Sequence, residues 1–274
     1  MPTRFISPGS AAADPAAPAP PLARCGPGCR ALLLACLALV LPPLLAMGEP
    51  PPEEVSASRE RLIREVETEI RLTSHYHGSE HLDPAVVAAL RAVPRERFIP
   101  QALRSKAYEN HPLPIGLGQT ISQPYIVAIM SHLIAIQPGA KVYELGTGSG
   151  YQAAVLAEMG AEVYTVEIVP ELAERAAATL AELGYTKVRV RAGDGYLGWP
   201  EAAPFDAIIV TAAGPEVPPD LAAQLRPGGR LVMPLGETDE TQQLVVVTKD
   251  SDGTLHRRSV LPVRFVPITG GARP

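Results

Sequence analysis

The sequence predicts a doubly wound α/β fold, with helices ahead of the sheet and further strand after it. Three observations carry that prediction. Between residues 141 and 236, short apolar runs alternate with segments of good helix formers. A glycine-rich turn, GTGSG at 146–150, joins the first run to its helix. Two later runs end at or beside acids, Glu167 and Asp194, at the edge where such sheets bind ligands.

The totals bound the problem. A chain of 274 residues with 46% hydrophobic content can bury a real core. Net charge is -5 and no Lys/Arg-rich run exists, so no face for nucleic acid is advertised. Cys25, Cys29 and Cys36 are the only cysteines. The remainder therefore has no disulfide framework, cysteine nucleophile or thiolate zinc site, which suits an oxidising compartment.

Residues 31–46, ALLLACLALVLPPLLA, carry no charge and follow Arg24 and Arg30. The run is short for a spanning helix and is broken by Pro42-Pro43. Ala46-Met47-Gly48 places small residues at −3 and −1 of a cleavage site. Residues 1–48 thus read as a signal peptide or N-terminal anchor, and the chain as exported to the periplasm. Lipidation at Cys36 is one alternative, since LLAC resembles a lipobox. Translation starting downstream is another. Residues 49–57, EPPPEEVSA, read as a proline-rich linker, and 58–274 as the folded domain.

A helix is expected from Ser58, where Leu62, Ile63, Val66 and Ile70 recur at helical spacing. Asp83-Pro84 reads as N-cap and first residue of a second helix. Between them lie His75, His77 and His81. A metal site is conceivable there, but a loop offers no rigid support for ligands, so a solvated loop is the expectation and no metal is assigned.

The stretch KVYELGTGSGYQAAVLAEMG (141–160) is a strand, a glycine turn and a helix. A dinucleotide fingerprint fails, because Tyr151 stands where a third glycine belongs. What fits is E-x-G-x-G-x-G, with Glu144 ahead of Gly146 and Gly148. An acid there would repel a pyrophosphate and suit a cationic ligand such as S-adenosyl-L-methionine. The next strand ends on Glu167, placed to accept both ribose hydroxyls. KVRVRAGDGYLGW ends in Gly193-Asp194-Gly195, where Asp194 can meet an adenine amino group. PFDAIIVTAA is a buried strand ending at Thr211 and Ala212, and LRPGGRLVMPLG a turn and another strand. Trp199 is expected in the core or the pocket wall. The whole reads as a Rossmann-like SAM-dependent methyltransferase fold with N-terminal helices and a C-terminal strand extension.

GQTISQPY (118–125) gathers small uncharged hydrogen-bonding groups before a helix. Pro124 fits its first position, Ser122 or Gln123 the cap, and Ile126, Val127, Met130 and Leu133 its apolar face. Free N–H groups and hydroxyls at a helix start suit an anion such as a carboxylate. A carboxylate taking a methyl from a sulfonium needs alignment and partial desolvation, with no strong base. The absence of a histidine from the stretch follows.

The segments VPRERFIP (93–100), YENHPLPIGLGQTISQPYIVA (108–128), ELGTGSGYQAAVLA (144–157), VYTVE (163–167), GDG (193–195), PFDAIIVTAA (204–213), QLRPGGRLVMPLG (224–236) and VRFVPITGG (263–271) resemble the protein-L-isoaspartate (D-aspartate) O-methyltransferase family. The resemblance spans about residues 58 to 272. It implies methyl transfer from S-adenosyl-L-methionine to the α-carboxyl of L-isoaspartyl residues in damaged peptides and flexible segments. The ester then collapses to a succinimide, whose hydrolysis regenerates some aspartate. It implies Ser122 as the active-site serine, flanked by Thr120 and Gln123 at the substrate. Glu144, Gly146, Thr147 and Gly148 are implied for the methionine end of the cofactor, Glu167 for the ribose, and Asp194 and Gly195 for the adenine. The segment holding Val266 and Pro267 is implied to close over substrate. Asn110 stands where the family often has an acid. A cytoplasmic location is usual for the family, so the signal-like start is a departure; a monomer is expected. Two other readings share these residues: a methyltransferase for small carboxylic acids, and an envelope protein that binds damaged peptides without catalysis.

Overall fold

The computed structural model describes residues 51–237 and 240–270. The signal-like stretch 1–48, with Cys25, Cys29 and Cys36, lies outside the described residues. Helix α1 (Pro52–Leu72) begins earlier than expected, so residues 52–57 are helix rather than linker. Pro52 opens it with a preset φ, and Glu53 and Glu54 face the positive end of its dipole. Leu62, Ile63, Val66 and Ile70 form its buried stripe, as the spacing predicts. A one-turn helix α2 (Ser74–His77) follows where a loop was expected. His77 is buried there and lies 3.2 Å from Thr73 Oγ1, whereas His75 and His81 are exposed. No metal-holding cluster exists among the described residues. Helix α3 (Pro84–Ala92) is capped by Asp83, whose carboxylate accepts the Ala85 N–H at 2.8 Å.

A hairpin of β1 (Leu113–Gly116) and β2 (Gln119–Ile121) precedes α4 (Pro124–Leu133). Helix begins at Pro124, as the sequence predicts, and Gln119–Ile121 ahead of it form a strand. Then come β3 (Lys141–Leu145), α5 (Tyr151–Glu158), β4 (Glu162–Glu167), α6 (Pro170–Glu182), β5 (Val188–Ala192), β6 (Phe205–Val210), α7 (Pro219–Gln224) and β7 (Leu225–Leu235). The chain ends in β8 (Gln242–Lys249) and β9 (Leu255–Val263). The sheet order is β5-β4-β3-β6-β7-β8-β9. Strands β3 to β7 are mutually parallel, and β8 and β9 add on antiparallel. The turn expected at RPGG sits inside β7 instead, where the register against β6 slips between Phe205 and Ala207.

The chain winds outward from β3 through β4 to β5, then returns to the other side of β3 with β6. That reversal opens a crevice beyond the carboxyl ends of β3 and β6. Apolar residues cover both sheet faces. Val142, Val163 and Ile209 pack with α4 and α5 on one side. Tyr143, Phe205 and Ile208 pack with Leu221 of α7 on the other.

Candidate active site

The crevice holds a cavity lined by the turn after β3, the ends of β4 and β6, the β2–α4 junction and residues 266–269. Gly146 has φ +94° and an added Cβ would lie 2.4 Å from Thr211 Oγ1, so only glycine fits. Thr211 Oγ1 lies 2.6 Å from the Gly146 carbonyl and 2.9 Å from that of Leu145, tying the turn to the end of β6. Thr147 anchors the other side, its hydroxyl 2.6 Å from that of Thr165 on β4.

Glu167 is 5% exposed and lines the cavity. Its Oε2 accepts the Gly148 N–H at 2.7 Å and its Oε1 the Val169 N–H at 3.0 Å. Each oxygen keeps a lone pair, enough for a ribose diol. Gly195 also lines the cavity, and the Tyr143 hydroxyl donates to its carbonyl at 2.6 Å. Asp194 is not in the lining. It caps the short turn Gly195–Leu197 by accepting the Tyr196 N–H at 2.9 Å.

Glu144 departs from expectation. It has 0% exposure, does not line the cavity, and neither carboxyl oxygen meets a donor in hydrogen-bonding geometry. Burial pushes its pKa up to about 8, partly offset by nearby Thr165. Burial thus favours the protonated acid beneath the turn over an anion facing a ligand. Trp199 is also outside the lining. Its ring stacks edge-on with Tyr164 at 5.3 Å and lies under the Arg191 guanidinium at 3.7 Å.

A wider groove abuts the cavity, running between α1, the start of α4 and residues 261–266. Thr120, Ser122, Thr211 and Val266 line both spaces, so they meet at these four residues. Gln123 lines only the groove and Pro267 only the cavity. The segment at Val266 is pinned across the end of β6: Ala213 N–H donates to Val266 O and Ile268 N–H to Ala213 O, both at 2.8 Å.

One residue that holds this junction, Arg95, was not singled out from the sequence. Arg95 is fully buried against the Tyr151 ring, 4.9 Å from its centroid. It donates to Ser122 O at 2.8 Å and Ala107 O at 3.0 Å, fixing the backbone that presents Ser122. Burial lowers its pKa to about 10, so it stays a cation. Neither Ser122 nor Gln123 caps α4 through its side chain. Asn110 does so from outside, accepting the Tyr125 N–H at 3.0 Å while donating to Glu69 at 2.7 Å. One helix-start N–H expected to be free for an anion is thereby taken. The sequence signal for Arg95 was no more than its place directly after the apolar pair Val93-Pro94 in VPRERF, and Asn110 stood out as an amide in the acceptor motif.

The cavity fits a cofactor with a ribose. It has a paired carboxylate at one strand tip and a turn that approaches closely because Gly146 lacks a Cβ. Residues 72–273 match the family model described as protein-L-isoaspartate(D-aspartate) O-methyltransferase. The protein-L-isoaspartate O-methyltransferase of Gloeobacter violaceus is 62% identical over 185 residues, covering 68% of this chain and 90% of that one. Protein-L-isoaspartate O-methyltransferase 2 of Syntrophobacter fumaroxidans is 54% identical over 215 residues, covering 78% and 87%. Among solved structures, a protein-L-isoaspartate O-methyltransferase superposes with a TM-score of 0.67 at 29% identity, over 77% of this chain and 66% of that one. A Plasmodium falciparum chain described as a beta-aspartate methyltransferase, solved with S-adenosyl-L-homocysteine, gives 0.63 at 24% identity over 78% and 97%, a likeness of fold.

Proposed function

The chain belongs to the protein-L-isoaspartate(D-aspartate) O-methyltransferase family, and on that premise we propose how cavity and groove divide the reaction. The enzyme transfers a methyl group from S-adenosyl-L-methionine to the α-carboxyl of L-isoaspartyl residues in damaged proteins. The junction of the two spaces at Thr120, Ser122, Thr211 and Val266 carries the reading, since a methyl group must cross from one to the other there. Bound S-adenosyl-L-methionine supplies an electrophilic methyl on a sulfonium. Glu167 holds the ribose, Gly195 borders the adenine, and Gly146, Thr147 and Gly148 border the methionine end. Thr120 and Ser122 orient the acceptor carboxylate with their hydroxyls. Ile121, Val127 and Val266 strip water from it. The acceptor is already a nucleophile, and no histidine, cysteine or lysine lines the junction. The Ser122→Ala variant tests this division. Turnover on an isoaspartyl peptide should fall roughly 10- to 100-fold, while calorimetry shows cofactor affinity changed by about twofold or less. Full turnover would remove Ser122 from the role.

Residues 1–48 are proposed as an export signal or anchor, on the strength of the uncharged run 31–46 and the small residues before Glu49. Among the described residues no helix is long and apolar enough to cross a membrane. Cell fractionation with and without residues 1–48, and sequencing of the mature N-terminus, decide it. An intact N-terminus recovered in the cytoplasm would point to the location usual for the family. The domain is proposed to act as a monomer, which light scattering checks.

A further inference from the structure

The groove contains a carboxylate that the methyl transfer does not use. Glu69 lies in the last turn of α1, at the negative end of the helix dipole, where acids are disfavoured. It is half-buried and lines the groove beside Ser122 and Gln123. Its Oε2 accepts from Asn110 Nδ2 at 2.7 Å and from Gln123 Nε2 at 3.4 Å. Both partners are neutral amides. No ion pair to Glu69 is found among the described residues, and burial raises its pKa with no cation to oppose it. A partly desolvated carboxylate held this way lacks a counter-charge. Among the described residues the only other charged one lining the groove is Arg264, which is solvent-exposed on the opposite wall.

The groove is continuous with the acceptor site, so its occupant is the stretch of peptide beside the isoaspartyl residue. This rests on the functional reading above. We propose that Glu69 is a specificity-determining residue that selects substrates with a basic side chain beside the isoaspartyl residue and disfavours acidic ones. Gln123 joins the two sites physically: its side-chain amide reaches Glu69, and its backbone follows Ser122 directly.

The test uses the full chain and one isoaspartyl peptide series with Lys, Gln or Glu at each position flanking the damaged residue. At low ionic strength, kcat/KM should be roughly tenfold higher for Lys than for Glu at the position that meets Glu69. In Glu69→Gln, which keeps an acceptor for Asn110 and Gln123, that ratio should fall to one or below, because Arg264 is then the one charge among the described groove residues. Should that variant fold poorly, the wild-type ratio still reports, since it should shrink in about 0.5 M salt. A wild type that methylates the Gln peptide but ignores flanking charge, or prefers Glu, overturns the selector alone. A ratio that survives Glu69→Gln does the same. A wild type that methylates none of the series overturns the repair reading beneath it.

Discussion

Glu144 shows how burial rewrites the role of a residue. A carboxylate at the tip of β3 reads as a fixed anion, yet this one is sealed under the glycine turn with no donor in hydrogen-bonding geometry. Its pKa of about 8 in the fold, against 4.5 for the free side chain, sets the sign of a pH effect. Between those values the unfolded chain releases the proton and the folded one keeps it. Stability from this group is therefore fully present below the lower value and lost as pH rises to about 8. The loss is on the order of 1 kcal/mol per pH unit. Glu144→Gln should remove that slope, so its Tm advantage over wild type grows from pH 5 to pH 8 and then levels off; parallel curves would contradict the burial. Glu167 behaves differently because both its oxygens already meet N–H donors at the cavity wall. Glu167→Ala should weaken cofactor binding roughly 10- to 100-fold by calorimetry, and unchanged affinity would exclude the ribose role. The position of Glu167 was legible because an acid closing a strand is a local pattern. The burial of Glu144 was not, because it depends on what packs around the end of β3 in three dimensions.

At the scale of elements, the start of α4 is held from outside. Pro124 as first residue was legible from the sequence, and so was the Asp83 cap of α3. The cap of α4 was not, because Asn110 arrives across the β1–β2 hairpin. An amide suits position 110 because it accepts from Tyr125 and donates to Glu69 at once. Asn110→Asp would set two carboxylates in contact, and repulsion would raise the pKa of the pair above its unfolded value. The deficit should therefore be small near pH 4.5 and reach about 1–2 kcal/mol by pH 7.5. Urea melts at both values check it, and a deficit independent of pH would contradict the contact. Arg95 does for the backbone at Ser122 what Asn110 does for the helix. Arg95→Met leaves the Ser122 and Ala107 carbonyls without their donor and should cost about 2–4 kcal/mol in the same melts. Arg95→Lys should recover part of that. The early start of α1 was missed because Pro50-Pro51-Pro52 reads as a linker, although Pro52 serves as a first helical residue.

At the scale of the molecule, the site is a product of topology. The reversal of winding around β3 places the glycine turn opposite Thr211, and the strand extension returns residues 264–270 across the end of β6. Alternating periodicity made the doubly wound sheet legible, and two strand-end acids made its ligand edge legible. The groove was not, since α1, the α4 start and the C-terminal segment come together only in three dimensions. The central claim is that methyl transfer occurs where cavity and groove meet, onto the carboxyl of isoaspartate. The most direct measurement incubates the full chain with methyl-labelled S-adenosyl-L-methionine and two peptides that differ only in Asp or isoAsp. The account predicts label on the isoAsp peptide alone, later released as methanol. Label on neither peptide while the cofactor still binds, or on both equally, would contradict it.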